Sequence, residues 1–162
     1  MPTKHVVLLA GVPASGKSWV CEQLASRFLY VPHDDFMDAP GDAYVRHIFH
    51  AARTQDRPVL AETPFSVSKI REPLEAHGLF VTVVYLRESE RVLRERWHAR
   101  GLVSAPTIAG HVKRQETYRV RALETGAFMG TSAQVLTHLQ SLDVGAFDGA
   151  ALGRLASGKV PE

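Results

Sequence analysis

A chain of 162 residues that is 45% hydrophobic and 22% charged has the composition of one ordinary globular domain. Its single cysteine, Cys21, excludes an intramolecular disulfide and a cysteine-based zinc cluster, so a reduced, cytoplasmic setting is expected. No apolar run approaches the roughly 20 residues of a membrane span, and a net charge of +2 is too small to argue for a polyanionic partner.

The first predicted element is a buried parallel strand over Val6–Ala10, which runs directly into Gly11-Val12-Pro13-Ala14-Ser15-Gly16-Lys17-Ser18. That stretch fits G-x-x-x-x-G-K-[ST] at every required position. A helix is predicted over Lys17–Phe28, with Val20, Leu24 and Phe28 on one face. Strand, glycine loop and helix therefore follow in the order a phosphate cradle needs. Gly11 and Gly16 let backbone N–H groups turn inward without a Cβ in the way. The helix start aims its positive dipole end at the same anion. Lys17 then reaches the β- and γ-phosphates, and the Ser18 hydroxyl ligates Mg²⁺. Gly11, Pro13, Ala14, Ser15, Gly16, Lys17, Ser18 and Trp19 are the expected nucleotide-binding residues, with ATP and Mg²⁺ as cofactors. A secretory signal is the competing reading of Lys4 and the apolar run, but Val6–Ala10 is shorter than the roughly 7–15 residues such a signal needs.

Further along, a short extended piece is expected at Leu29–Pro32, and strands at Val59–Ala61, Phe80–Leu86 and Val135–Leu139. Helical periodicity covers Ala43–Thr54, Val67–His77, Glu90–Arg100 and Thr107–Thr125, and a last helix is expected over Phe147–Ala156 with Gly158 just beyond. Thr107 suits an N-cap after Pro106, and Gly126 a C-cap. Alternating strands and helices imply a parallel sheet covered on both faces, with ligands beyond the carboxyl ends of its strands.

Two acidic positions fall at such ends. His33, Asp34 and Asp35 follow the Leu29–Pro32 piece, where a carboxylate can orient an acceptor hydroxyl and take its proton. A solvated turn or helix cap explains the same aspartates without chemistry. Glu62 ends the next strand, placed to hold the Mg²⁺ water shell or an acceptor group, although a strand-end charge facing water reads the same way. Between Arg87 and Arg121 stand nine Lys or Arg against four Glu, which leaves the rest of the chain net negative. Most of these arginines read as a solvated helix face laced by i, i+4 pairs such as Glu90–Arg94. Arg96 and Arg100, four apart, present both guanidinia on one face and could clamp phosphates. Trp97 beside them either packs the helix or stacks on a base.

"GVPASGKS", "HDDF" and "LRERWHARG" followed by "APTI" together resemble the kinase domain of phage-type polynucleotide 5′-hydroxyl kinases, which are related to zeta-toxin-like and small-molecule P-loop kinases. The resemblance spans roughly Val6 to Tyr118. It implies an α/β, three-layer P-loop NTPase fold, with a five-stranded parallel sheet, helices on both faces and a helical lid over about residues 90–125. Residues 1–162 then form a single P-loop kinase domain. By the same resemblance Asp34 is the general base, Arg96 and Arg100 are the lid arginines, and Lys17 completes the catalytic set. Where the family often carries an arginine shortly after its aspartate pair, this chain has Phe36 and Met37, and Arg46 is the nearest downstream substitute. Where the family often has Asp-Thr-Asn, this chain has Glu62-Thr63-Pro64. Asp35, Glu62 and Arg46 are the expected acceptor-binding residues, and Ser18 and Glu62 the metal-side residues.

The leading expectation is ATP-dependent transfer of a phosphoryl group to a hydroxyl on nucleic acid, DNA rather than RNA, at a 5′-end or a hydroxymethylated base. The alternative is a kinase of a metabolite, sugar or antibiotic. A third reading is a nucleotide-binding module without transfer. The chain holds no Asn-Lys-x-Asp base-reading motif of a GTP switch.

Overall fold

The computed structural model describes residues 4–142, except Pro64, Phe65 and Val103. The central strand β1 (His5–Ala10) is buried along its whole length. It pairs in parallel with β3 (Val59–Thr63) on one side and β4 (Phe80–Leu86) on the other. Two short strands complete the sheet, β2 (Leu29–Val31) beside β3 and β5 (Met129–Gly130) beside β4. The order is β2-β3-β1-β4-β5, all parallel. Central strands buried on both faces read as continuous apolar runs, as Val6–Ala10 and Phe80–Leu86 do.

Successive side chains of β1 point to opposite faces and so divide the core in two. Val7 and Leu9 pack with Val20 and Cys21 of α1 (Lys17–Gln23) and with Val135 and Leu139 of α6 (Ser132–Gln140). Val6, Leu8 and Ala10 face four helices: α2 (Ala43–Thr54), α3 (Val67–Ala76), α4 (Glu90–Ala99) and α5 (Ala105–Thr125). A glycine loop following the central strand of this three-layer parallel α/β sheet is the P-loop NTPase fold. No helix among the described residues is long and apolar enough to cross a membrane.

Several boundaries differ from those expected. Val135–Leu139 is no strand but the buried stripe of α6, which a capping box between Thr131 and Gln134 opens. The fifth strand is the two-residue Met129–Gly130, paired with Tyr85 and Leu86. Helix α1 stops at Gln23 and a turn carries the buried Leu24 and Phe28. The N-cap of α5 is Ser104, with Pro106 inside the first turn, where its missing N–H costs nothing. Gly126 does close α5, at φ 69°. The helix expected over Phe147–Ala156 lies outside the described residues.

Candidate active site

At the carboxyl ends of β1, β2 and β3 lies a cleft of about 610 Å³, lined by the loop residues Gly11, Pro13, Ala14, Gly16, Lys17, Ser18 and Trp19. Beyond the loop, His33, Asp34, Glu62, Arg96, Arg100 and Ser132 also face it. The loop is built for close approach. A Cβ on Gly11 would collide with the Ser15 hydroxyl, and one on Gly16 would stand 2.7 Å from the Ser132 Cβ. Gly16 has φ 101°, and Ala14 takes φ 65°, a left-handed conformation that an alanine adopts only under local constraint.

Part of that constraint comes from α4. Trp97 is fully buried, and its indole N–H donates to the Pro13 carbonyl at 2.7 Å. Arg96 donates to the Ala14 carbonyl at 2.8 Å and lies 3.7 Å from Glu88. Helix α4 is thus fastened to the loop. Trp97 packs rather than offering a face to a base. A Trp97→Phe variant is expected to lose about 1–3 kcal/mol of stability, because the Pro13 carbonyl keeps its burial and loses its donor. Urea melts of the two proteins check this, and an unchanged midpoint would refute the loop-fastening role.

Lys17 folds back on its own loop, its Nζ donating to the carbonyls of Gly11 at 2.5 Å and Val12 at 3.1 Å. Burial pulls its pKa down to about 8; Glu62 opposes the shift, and Arg100 and Arg114 add to it. Next to it, the Ser18 hydroxyl donates to Glu62 Oε1 at 3.0 Å. Glu62 is only 6% exposed, and its second oxygen accepts from the His33 backbone N–H at 3.4 Å. Tyr44 sets the position of Glu62: its hydroxyl donates to the Val31 carbonyl at 2.9 Å and accepts from the Glu62 N–H at 3.0 Å. Burial, then the Glu62 charge, pushes the phenol of nearby Tyr30 upward.

This donor set fits a magnesium–nucleotide complex. The Ser15 hydroxyl is buried without a hydrogen-bond partner among the described residues, inside a loop that has no room for a Cβ at Gly11. Mg²⁺ takes one or two protein oxygens and the rest from phosphates and water. The Ser18–Glu62 pair would offer such oxygens, and the described residues hold no group of three or more His, Cys, Asp or Glu that would form a dedicated cage.

Asp34 and Asp35 open a single 3₁₀ turn, Asp34–Phe36. Asp34 faces the cleft; Asp35 is exposed and does not line it. Arg46 is likewise absent from the lining, being exposed and paired with Asp42 at 3.3 Å. The expected acceptor-side roles of Asp35 and Arg46 therefore lack a placement: Asp35 is exposed in the 3₁₀ turn, Arg46 is held by Asp42 on α2, and neither lines the cleft. Arg96 and Arg100 both reach the cleft but differ in engagement. Arg96 is held by Ala14, whereas Arg100 has no ion pair or side-chain hydrogen bond among the described residues. Arg100→Ala is therefore expected to cost roughly 2.7–4 kcal/mol in transfer rate with little loss of stability. Arg96→Ala should instead lower stability by about 1–3 kcal/mol. Paired rate and melting measurements separate the two, and the reverse pattern would exchange their roles.

Sequence reasoning missed Tyr44 and Ser132. Tyr44 sits on the apolar stripe of α2 with Ile48, and a buried tyrosine hydroxyl needs a partner, which was the available signal. Ser132 opens α6, where the apolar run Val135–Leu139 had pointed to a strand.

A larger cleft of about 980 Å³ adjoins this one beyond the ends of β4 and β5. Leu93, Val112, Ala127 and Met129 give it apolar walls, with Gln115, Thr131 and Gln134 as neutral polar groups and charged side chains, Glu88 and Arg119 among them, lining it as well. The neighbours Thr131 and Ser132 line one cleft each, and Arg96 of the first reaches Glu88 of the second.

No protein-family model matches the chain, and no curated protein is significantly similar to it in sequence. Among solved structures, a sugar kinase from Janibacter sp. HTCC2649 is similar over 60% of this chain and 67% of its own, with TM-score 0.46 and 18% identity. A de novo designed P-loop fold protein is similar over 86% and 92%, with TM-score 0.43 and 18% identity. A gluconokinase from Sinorhizobium meliloti 1021 is similar over 98% of this chain and 93% of its own, with TM-score 0.43 and 22% identity.

Proposed function

We propose that the protein is an ATP-dependent kinase that phosphorylates a hydroxyl group on a small molecule. The observation that carries this reading is the convergence of Lys17, Ser18, Glu62, Asp34 and Arg100 on one cleft at the carboxyl ends of three adjacent strands. A module that only held nucleotide would need the loop, Lys17 and Ser18, but not Asp34 beside them. The triphosphate belongs in the loop cleft, and the base and ribose in the adjoining apolar cleft. Lys17 leaves the Gly11 and Val12 carbonyls for the β- and γ-phosphates. Mg²⁺, when bound, neutralises charge on those phosphates, with Ser18 and Glu62 holding it or its water shell.

Asp34 orients the acceptor hydroxyl. The hydroxyl oxygen bonds to the γ-phosphorus as the bond from that phosphorus to the β–γ bridging oxygen breaks, so ADP leaves with the electron pair. The hydroxyl proton passes to the Asp34 carboxylate and then to water. Arg100 faces the charge that spreads over the transferring oxygens.

A small acceptor is favoured over nucleic acid because several of the features that pointed to a polyanion are occupied elsewhere, and the α5 cations that are unpaired among the described residues line a short groove rather than a track. Trp97 is buried, Arg46 pairs with Asp42, and Arg91, Arg94 and Arg119 pair with Glu95, Glu90 and Glu116. The test is transfer of labelled γ-phosphate to a panel of metabolites, 5′-hydroxyl DNA and base-hydroxymethylated DNA. Transfer to metabolites is expected. Preferential transfer to DNA, with affinity falling steeply as salt rises, would return the acceptor to nucleic acid. No transfer to any member, with nucleotide bound normally, would favour the binding module.

A further inference from the structure

Beside the active cleft, between the start of α3 and one face of α5, runs a groove of about 380 Å³. We propose that this groove binds an anionic group, phosphate or carboxylate, carried by the hydroxyl compound that the kinase phosphorylates; the proposal rests on the kinase reading above.

Lys113, Arg114, Thr117 and Arg121 line the groove from α5, and Ser66 and Val67 line it from α3. On a helix, positions 113, 114, 117 and 121 fall on one face, so three cations are stacked along a single wall. Among the described residues no carboxylate lines the groove. None of the three cations has an ion-pair partner among the described residues, whereas the neighbouring Arg119 is paired with Glu116 at 2.6 Å. The floor of the groove is the buried Tyr118, whose phenol is pushed up by burial while Arg114 and Arg121 pull the other way, so both guanidinia stand close to it. Ser66 adds a hydroxyl to the wall, hydrogen-bonded to the Ser68 hydroxyl at 2.8 Å, while the Thr117 hydroxyl donates to the Lys113 carbonyl at 3.1 Å. The Ser66 side chain does not cap α3, so it leaves the first-turn N–H groups of that helix uncovered by a side chain.

The groove is also in the right place. Strand β3 delivers Glu62 to the active cleft, and Ser66 follows four residues later, at most about 14 Å along an extended chain. A compound with its hydroxyl in the active cleft near Glu62 and its anionic group up to about 14 Å away would reach both. The groove volume suits part of a small ligand. A polymer would require a cationic track continuing beyond it, and Arg91 and Arg94 on α4 are already paired with Glu95 and Glu90.

The full-length chain, saturated with Mg²⁺ and a non-hydrolysable ATP analogue so that the loop is filled, is titrated with inorganic phosphate and, separately, with malonate. Backbone amide shifts over Ser66–Ser68 and residues 113–121 report the groove. One or both anions should move these amides. Arg121→Gln and Lys113→Gln, each an exposed side chain in no contact with the nucleotide loop, should each weaken that response by about tenfold without changing nucleotide affinity. Whichever anion binds more tightly identifies the substrate as a phosphate ester or a carboxylic acid. In the transfer panel, anionic acceptors should outperform their neutral parents, and Arg121→Gln should raise acceptor KM by at least about tenfold while kcat stays within about threefold. Amides that ignore both anions, or variants that respond as the parent does, overturn the groove. So does a neutral sugar, or a 5′-hydroxyl oligonucleotide, that is the best acceptor with KM unchanged in Arg121→Gln. Failure of the parent chain to bind the ATP analogue would instead remove the kinase reading beneath it.

Discussion

A Lys17→Ala variant is expected to lose phosphoryl transfer by at least about 10²–10³-fold while remaining folded. In the structure Lys17 contributes little to the core. It closes two hydrogen bonds to the carbonyls of Gly11 and Val12. Its removal gives up those contacts, but it also relieves the burial that pulls the lysine pKa down to about 8. A buried ammonium is costly to desolvate, so the two effects oppose each other and the net change in stability should stay within about 1 kcal/mol. The rate has no such offset. The positive charge that would travel with the γ-phosphoryl group is gone, and removal of a donor of that kind costs roughly 2.7–4 kcal/mol in the transition state. Thermal melts and single-turnover transfer measured on the same preparation test both halves. Full activity in a folded Lys17→Ala protein would show that the loop is not the active site.

The part of the molecule most legible in the sequence is the part with the strictest physical demands. A loop that wraps backbone N–H groups around phosphate admits glycine alone at Gly11 and Gly16, where a Cβ would strike Ser15 or Ser132. The same positions therefore announce themselves without a structure. Central strands are legible for a related reason: burial on both faces allows only apolar residues, so β1 and β4 begin and end within a residue of where the pattern places them. The edge of the sheet gives no such signal. Strand β5 is two residues long, and its sequence, Met129-Gly130, has neither length nor pattern. The nearby apolar Val135, Leu136 and Leu139 were the stronger run, yet their spacing suits a helix as well as a strand, and the Thr131–Gln134 capping box decides the matter.

Charged residues divide in the same way. Pairs at i, i+4 on α4 can be read from spacing, and Arg91–Glu95 and Arg94–Glu90 form as spacing suggests. Which arginine reaches the active cleft depends on how α4 docks, and that is fixed by the buried Trp97 and its bond to Pro13, a contact 84 residues apart in sequence. Long-range contacts of this kind leave no periodic trace. The Tyr44 bridge between Val31 and Glu62 is another example.

Asp34→Asn is expected to lower kcat by about 10²–10⁴, the usual range for general acid–base catalysis, while nucleotide affinity changes little. The substitution keeps the size of the side chain and part of its hydrogen bonding, and removes the proton acceptor. Nucleotide binding draws on Lys17, Ser18 and the loop N–H groups, none of which bonds to Asp34 in the structure. Stability should also hold, since Asp34 is exposed and its 3₁₀ turn is closed by backbone bonds, from the Phe36 N–H to the His33 carbonyl at 2.8 Å. Asp35 serves as the internal control. It belongs to the same turn and carries the same charge, but it does not line the cleft, so Asp35→Asn should leave kcat within about threefold of the parent. Two carboxylates one residue apart thus separate electrostatic influence, which both would share, from contact with an acceptor in the cleft, which only Asp34 is placed to make. A dead Asp35→Asn would exchange the two assignments. An Asp34→Asn protein that transfers normally would leave Glu62 as the remaining carboxylate in the cleft, with Ser18 still to be shared between it and the metal.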